Sequence, residues 1–454
     1  MFRISTTVIT VLVADLLASS GDITSTWTSP MYPKLYSNDT TVNPLGRPIT
    51  EDEDSWMGSL INIGAILGAL PAGLVADRYG RKKTLIAVAV PHITAYLIYA
   101  FATNVYMFYA GRLVNGVSVG VGYAILPMYI AEVSEDSQRS TLSSTLNIFW
   151  SVGNFVPYAV GPYLSVRWFN LVLIVFPVSF MVLFMFLGYE TPHFLVHKGR
   201  EVEAVAVLTK LRKISVGSSK KEVKALQVAF SEHQDGQWSD IVRDKTLRKA
   251  LIISVSLVVL QQFSGINAVL YYLQPIFEAS GTQLSVPMCS NIFGFCLLLF
   301  SFFTALIVKH TGVKWLMGVS AFGSGLSLSL LGAFFYIKDC TNMGTESIFW
   351  LPIAGLIGYI FFYVIGFGSL PWTISSELFP NSVKAISAAA VAASCYLSAF
   401  IVTKFFNYLN GSVHRAGTFW LFSGLSWVAL LVTVVWVPET KGKSFQEIQD
   451  MLKK

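Results

Sequence analysis

Two stretches of similar sequence decide the fold of this chain: "PMYIAEVSEDSQR" (Pro127–Arg139) and "PWTISSELFPNSVK" (Pro371–Lys384). Each stretch follows a long apolar run. Each carries a glutamate, Glu132 or Glu377, and a basic residue seven positions later. Because the pattern returns at a similar place later in the chain, we predict a protein built from two related halves.

The composition predicts a membrane protein. Of the 454 residues, 54% are hydrophobic and 13% are charged, whereas soluble domains are about 25% charged. Runs of about 20 apolar residues can span a bilayer as helices, and the alternating ten-residue segments of a barrel are absent from the sequence. Twelve apolar runs occur, at roughly 7–30, 56–76, 84–103, 107–130, 142–163, 168–189, 249–273, 285–309, 315–337, 348–374, 385–407 and 418–437.

The longest polar segment divides these runs into six and six. Residues 190–248 hold "KLRKISVGSSKKEVKAL" and predict a linker with two or three short helices. We therefore predict an all-α membrane protein with twelve transmembrane helices in two six-helix bundles, at 1–189 and 249–437, and a tail at 438–454. Duplicated six-helix halves are typical of alternating-access transporters, whose site lies between the halves.

The distribution of lysine and arginine predicts the orientation. With the N-terminus inside, about 25 of the 32 basic residues lie on the inner side, as the positive-inside rule requires. Both termini are then cytoplasmic, in a multi-pass protein of the plasma membrane. The net charge of +6 follows from this topology and indicates no nucleic-acid partner. Glycosylation sequons at Asn38 and Asn410 fall in predicted outer loops.

A charged motif, "GLVADRYGRKK" (Gly73–Lys83), ends the second run. We expect Gly73 to allow close approach of a neighbouring helix. Asp77 can accept hydrogen bonds from a facing helix N-terminus, and Arg81 can reach a nearby carboxylate. An ordinary positive-inside turn is the alternative.

Three amides interrupt the seventh run, "VVLQQFSGINAVLYY" (Val258–Tyr272). On a straight helix, Gln261, Gln262 and Asn267 cannot all face one cavity. We therefore predict a break at Ser264–Gly265, as in discontinuous transporter helices. The alternative is that these amides only join neighbouring helices by hydrogen bonds.

In combination, these motifs resemble the signature set of the sugar porter family of the major facilitator superfamily. "GFGSLPWTISSELFP" and "VPETKGKSFQEI" resemble it as well, and the match covers essentially the whole chain. "GTFWLF" and "FIVTKFF" are similar to the insect facilitated trehalose transporter branch. The resemblance implies facilitated diffusion of a hexose or trehalose-like disaccharide by alternating access, with a small-molecule sugar and the bilayer as partners and no cofactor.

The resemblance also implies roles for individual residues. It implies sugar hydrogen bonds from the three amides and stacking of Trp372 on the sugar ring, and Tyr158 stands where the family has a glutamine of the site. With the predicted break, Tyr271 and Tyr272 would form an extracellular gate, unless they belong to an interfacial aromatic belt. A cytoplasmic gate of charged residues is implied at Asp77, Arg81, Glu132, Arg139, Glu190, Glu377, Lys384 and Glu439.

The sequence departs from the family pattern mainly in the second half. Leu297, Val364 and Cys395 replace polar residues of the family site, and Phe367 and Ser369 stand where prolines are usual. These changes argue against glucose itself and fit either a different sugar or a non-sugar substrate that tolerates hydrophobic surroundings. An arginine of the family's second-half gate is replaced by Val313, which predicts a weaker cytoplasmic gate.

Two acidic residues in the first run, Asp15 and Asp22, suggest proton coupling, because intramembrane acids are usually functional. By alignment, the aspartate of proton-coupled sugar porters falls on Thr24, so neither acid matches it. A proton-coupled symporter therefore stays an alternative, as does a sugar sensor that binds without cycling. The sequence contains no metal-ligand cluster or nucleophile constellation, and we predict that the protein is not an enzyme.

Overall fold

The structure, a computed structural model, describes residues 5–232, 237–341, 344–441, 443 and 445–453. Within these residues it contains helices and no strand. The α-helices are α1 (Thr6–Thr26), α2 (Thr28–Leu35), α3 (Glu51–Tyr79), α4 (Arg81–Ala100), α5 (Val105–Val133), α6 (Asp136–Val160), α7 (Val166–Leu173), α8 (Val175–Leu187), α9 (Pro192–His197), α10 (Glu201–Arg212), α11 (Val216–Glu232), α12 (Trp238–Arg243), α13 (Lys245–Phe263), α14 (Ile266–Tyr271), α15 (Leu273–Ser280), α16 (Val286–His310), α17 (Val313–Cys340), α18 (Leu351–Phe362), α19 (Leu370–Leu378), α20 (Asn381–Trp436) and α21 (Phe445–Lys453).

All twelve predicted runs lie in helical segments. Among the described residues, ten helical stretches are long and apolar enough to cross a membrane. One of them, in α20, contains two predicted runs. Val413 and His414 in its middle have non-helical backbone angles and separate the two runs. The run at 142–163 lies largely in α6, which is more polar. The linker contains four short helices, α9 to α12, rather than the expected two or three.

The chain divides into two compact units that interleave in sequence. Unit 1 comprises Met1–Thr24, Gly64–Gly153 and Arg167–Asp235, and unit 2 comprises Ser25–Ile63, Asn154–Val166 and Gly236–Lys454. The boundaries therefore fall inside α1, α3, α6 and α7 as well as in the linker. The division into bundles at 1–189 and 249–437 stays a prediction.

In unit 1, buried aliphatic and aromatic side chains of α1, α4, α5 and α8 form the core. Tyr129 packs edge-on against Phe184 with ring centroids 5.3 Å apart, and its hydroxyl donates to the Tyr189 carbonyl at 2.7 Å. The expected close approach at Gly73 is wrong, because a Cβ there would meet no described atom within 4 Å. Instead, α3 and α5 approach closely: a Cβ at Gly68 would lie 2.2 Å from the Val117 carbonyl oxygen.

In unit 2, two helices are interrupted. The predicted break at Ser264–Gly265 is confirmed: α13 ends at Phe263, α14 begins at Ile266, and Gly265 between them has φ +87°. A second irregularity is a π-helical turn at Tyr363–Phe367, between α18 and α19. Such turns widen a helix and often occur at functional sites.

Gly265→Ala tests the break. A side chain at positive φ costs about 1–2 kcal/mol, and a Cβ here would also lie 2.5 Å from the Phe422 ring. We expect a lower thermal unfolding midpoint for the purified protein in detergent. Gly424→Ala is the control, because a Cβ at this helical position of α20 would meet nothing within 4 Å. Equal midpoints for the two variants would contradict the need for glycine at 265.

Candidate functional site

The helix break brings two of the three predicted amides into contact. Asn267 Nδ2 donates to Gln262 Oε1 at 2.7 Å. Gln262 Nε2 in turn donates to the Cys395 thiol of α20, with 3.1 Å between nitrogen and sulfur. Gln262 and its chain neighbour Gln261 are both buried. The amide cluster, which we define as Gln261, Gln262 and Asn267, thus includes a hydrogen-bonded chain from α14 to α20.

Gln261 lies on the other side of the cluster and reaches the segment between α18 and α19. Its Nε2 donates to the carbonyl oxygens of Phe367 and Gly368, the latter at 3.3 Å. Its Oε1 is buried and has no hydrogen-bond partner among the described residues. Leaving a buried acceptor unpaired costs about 1–3 kcal/mol, so this oxygen is suited to receive a donor from a ligand.

Hydrogen bonds also satisfy the backbone around the break. The Ser264 hydroxyl donates to the Gln261 carbonyl at 2.7 Å, and the Tyr359 hydroxyl donates to the Ser264 carbonyl at 3.1 Å. Peptide groups inside a membrane protein require such partners, because water is excluded. A hydrogen bond from Tyr359 of α18 therefore stabilises the break.

The other two residues of the predicted site differ in exposure. Tyr158 is fully buried, and its hydroxyl donates to the Leu270 carbonyl at 2.7 Å. Trp372 is 39% exposed, so a face of its ring is accessible. In the described part of the chain, Trp372 has no hydrogen bond or ring contact with the amide cluster.

The predicted gate tyrosine Tyr272 lies in a group of aromatic side chains around one carboxylate. Tyr272 and Tyr36 donate to the two oxygens of Asp54, at 2.6 and 2.8 Å. The Tyr272 ring stacks on Tyr32 at 5.0 Å and lies 4.8 Å from Phe406. We call these five residues the Tyr272 cluster. Burial, and then the charge of Asp54, raise the pKa of Tyr36 above its usual range, so Tyr36 stays a neutral donor.

Further contacts join the same helices. The Thr28 hydroxyl donates to the Tyr271 carbonyl at 3.0 Å. Lys404 pairs with Asp52 at 2.7 Å, and its ammonium lies 4.2 Å from the centre of the Trp56 ring. Sequence reasoning missed Asp54 and Lys404 as members of this region. An acidic helix start at Glu51–Asp54 was the available signal.

In unit 1, four of the predicted gate residues are in contact, and we call them the Arg81 cluster. The Arg81 guanidinium contacts Asp77 at 2.7 Å and both oxygens of Glu132 at 3.2 Å. Glu190 accepts from the backbone N–H groups of Arg81 and Lys82 at the start of α4. Burial raises the pKa of Glu190, while these N–H groups lower it. Arg139 is exposed.

In the second half, a glutamate again accepts hydrogen bonds from the start of a helix, but no arginine stands at the position that corresponds to Arg81. Glu439 accepts from the backbone N–H groups of Val313 and Lys314, at 3.0 and 3.2 Å, as Glu190 does at α4. Val313 therefore occupies the place of Arg81. Accordingly, Glu377 Oε2 is buried and has no hydrogen-bond partner among the described residues, and Lys384 is exposed.

The two acids of α1 are buried and accept hydrogen bonds from hydroxyl groups. The Thr145 hydroxyl donates to Asp15 Oδ2 at 2.5 Å, whereas Asp15 Oδ1 is buried without a partner among the described residues. Both oxygens of Asp22 lie 2.5 Å from the Tyr123 hydroxyl. The proposed role of these acids in proton coupling stays a prediction.

A further buried polar cluster was missed by sequence reasoning. His92 Nδ1 lies 2.5 Å from Asn115 Oδ1, and the Arg112 guanidinium donates to the Thr24 carbonyl at 2.6 Å. His92, Arg112 and Asn115 are fully buried. A histidine inside the third apolar run was the available signal. No group of three metal-ligand side chains occurs among the described residues.

Comparison with known proteins places the chain in a family. The model of the family described as "Sugar (and other) transporter" matches residues 24–452. The chain belongs to the sugar transporter family. The predicted family is thus confirmed, as is a multi-pass membrane transporter.

Individual relatives agree with this assignment. The facilitated trehalose transporter of Culex quinquefasciatus is 33% identical over 88% of this chain and 78% of the relative. The facilitated trehalose transporter of Bombyx mori is 34% identical over 88% and 79%. A solved structure of the E. coli xylose transporter XylE, described as partially occluded and inward open, matches with a TM-score of 0.79 at 22% identity and covers 96% of this chain and 99% of its own. The major facilitator fold with twelve helices is confirmed by this likeness.

The two halves of this sugar transporter family member can be compared by matched substitutions. Glu132→Gln removes a carboxylate that accepts two hydrogen bonds from a buried arginine, which stabilise by about 1.5–3 kcal/mol. Glu377→Gln removes a carboxylate for which no arginine partner occurs among the residues that the structure describes. We expect Glu132→Gln to lower the thermal unfolding midpoint and Glu377→Gln to leave it nearly unchanged. Equal losses in both variants would contradict the asymmetry between the halves.

Proposed function

We propose that this protein carries a sugar down its concentration gradient by alternating access, with the amide cluster as the binding site. The observation that carries this proposal is the buried Oε1 of Gln261, for which the described part of the chain offers no hydrogen-bond partner. A sugar hydroxyl can donate to this oxygen and relieve the cost of its burial. A membrane protein without a polar ligand would gain stability by losing such an acceptor.

The remaining groups of the cluster suit a polyhydroxylated ligand. Each side-chain amide offers two N–H donors and an acceptor with two lone pairs. The contacts of Gln262 use one lone pair and one N–H, so both ends retain capacity for a ligand. The accessible face of Trp372 can pack against the apolar C–H face of a sugar ring. Neutral amides and an aromatic ring favour an uncharged substrate.

We further propose a hexose or a trehalose-like disaccharide as the substrate. Relatives that are about one third identical are named facilitated trehalose transporters. Leu297, Val364 and Cys395 make the second-half wall less polar than expected for a glucose site, which favours a substrate other than glucose.

Two gates are part of the same proposed transport mechanism. The Tyr272 cluster would close the outer side of the pathway and the Arg81 cluster the inner side. The second half has Val313 where the first has Arg81, so it would contribute less to inner closure. The Arg81–Glu132 pair is only 10% and 12% exposed, and hydrogen bonds to charged groups contribute about 1.5–3 kcal/mol, a bias that substrate binding can reverse in every cycle.

Orientation and location complete the proposal. We infer a plasma-membrane protein with both termini and the linker 190–248 in the cytoplasm, because basic residues concentrate on that side. Proton coupling is the second candidate mechanism. The buried, unpaired Oδ1 of Asp15 favours it, since a protonated carboxyl avoids the cost of a buried charge.

Uptake into reconstituted vesicles tests the proposal. Labelled glucose, trehalose, fructose and a polyol are compared, and a protonophore should leave downhill uptake unchanged if transport is facilitated. Gln261→Ala should raise KM about tenfold through loss of a buried hydrogen bond. Gln274→Ala, at a similarly buried glutamine of α15, should leave KM unchanged. Uptake of none of the four compounds would refute the sugar assignment.

Glycan mapping tests the orientation. Asn38 is exposed in the loop after α2, whereas Asn410 is partly buried within α20 and its Oδ1 is buried. We expect Asn38→Gln, and not Asn410→Gln, to remove a glycosidase-sensitive shift on gels of protein from eukaryotic cells. A glycan on Asn38 would place that loop outside. A shift lost only in Asn410→Gln would contradict the accessibility argument.

A further inference from the structure

The π-helical turn at Tyr363–Phe367 is held by a side chain from a neighbouring helix. The Ser320 hydroxyl of α17 accepts from the Phe367 N–H at 2.9 Å and donates to the Phe362 carbonyl at 2.6 Å. Phe362 and Phe367 are five residues apart, which is the spacing that a π-turn pairs directly. The hydroxyl of Ser320 is therefore inserted into the backbone ladder of this turn.

Ser320 is closely packed and shielded from solvent. Ser320 is fully buried. A Cβ at Gly366 would lie 2.4 Å from the Ser320 Cβ, so the turn can approach α17 because residue 366 is glycine. Without water, the two peptide groups depend on protein partners.

The same peptide segment contacts the amide cluster from its other side. While the Phe367 N–H donates to Ser320, the Phe367 carbonyl accepts from Gln261 Nε2. The neighbouring Gly368 carbonyl accepts from Gln261 as well, at 3.3 Å. These two contacts occupy the nitrogen end of the Gln261 amide and leave its oxygen end unpaired. The orientation of the Phe367 peptide thus sets which end of Gln261 is available.

We propose that Ser320 is a positioning residue for the substrate site. Its hydroxyl fixes the Phe367 peptide, and the carbonyl of that peptide holds Gln261 with its acceptor oxygen free for a sugar hydroxyl. The inference rests on the proposed sugar site. It adds a residue of α17 that does not touch the substrate and acts on it through Phe367 and Gln261.

Ser320→Ala tests this role against a matched control on the same helix. Ser324 is one turn away and equally buried, and its hydroxyl has no hydrogen-bond partner among the described residues. We expect Ser320→Ala to raise the sugar KM about tenfold while the maximal rate per transporter at the surface changes less than twofold. Ser324→Ala should match the wild type in both values. A tenfold KM in both variants, or in neither, would overturn the proposal.

A proline background separates positioning from general packing. Phe367→Pro removes the N–H that Ser320 accepts from and keeps the carbonyl that Gln261 uses. In the Phe367→Pro background, Ser320→Ala should raise KM by a clearly smaller factor than in the wild type, because only the Phe362 contact remains to be lost. An undiminished effect would show that Ser320 does not act through the Phe367 N–H.

Hydrogen–deuterium exchange tests the contact without requiring transport. Peptides covering 363–370 should exchange faster in Ser320→Ala than in Ser324→Ala, with the rest of the chain unchanged. Unchanged exchange in Ser320→Ala would overturn the proposal even if sugars are transported. If no sugar is transported by the wild type, the proposed function fails, whereas faster exchange would still support the role of Ser320 in holding this turn.

Discussion

Peptide groups buried in a membrane protein need hydrogen-bond partners, because each unsatisfied group costs several kcal/mol where water is excluded. The two interruptions in unit 2 meet this requirement with side chains from other helices. Tyr359 serves the break at Gly265, and Ser320 serves the π-turn before α19. Gln261 of the amide cluster also donates to the Phe367 and Gly368 carbonyls beside the π-turn, so the candidate site has a second use in the backbone geometry of this segment.

Gln261 illustrates this dual use. Its nitrogen donates to carbonyls of the α18–α19 segment, and its oxygen is buried with no partner among the described residues. A side-chain amide can do both because its donor and acceptor ends are separate. A carboxylate could not donate to those carbonyls, and an aliphatic residue would leave them unpaired. The glutamine is therefore required by the fold as well as by the proposed substrate.

The two halves have diverged most where charge is concentrated. Glu190 and Glu439 both cap the start of a helix through backbone N–H groups, which any residue supplies. The side-chain pairing around Arg81 needs a particular residue and has no equivalent at Val313. Backbone-mediated contacts thus survive substitution, while side-chain ion pairs are lost with one change. If these residues form the proposed cytoplasmic gate, the first half contributes more to its closure than the second.

The sequence by itself determined the twelve helical runs and the break at Gly265, and the resemblance of its motifs indicated the family. The runs and the break follow from local composition and periodicity, since a bilayer requires long apolar helices and a polar break within one is conspicuous. Only the tertiary structure decided which end of Gln261 is free, that Asp54 joins Tyr36 and Tyr272, and that His92 meets Asn115. It also revealed Ser320, a serine indistinguishable by sequence from its neighbour Ser324. These contacts join residues far apart in the chain, and the distance between such residues is fixed by helix packing rather than by sequence spacing.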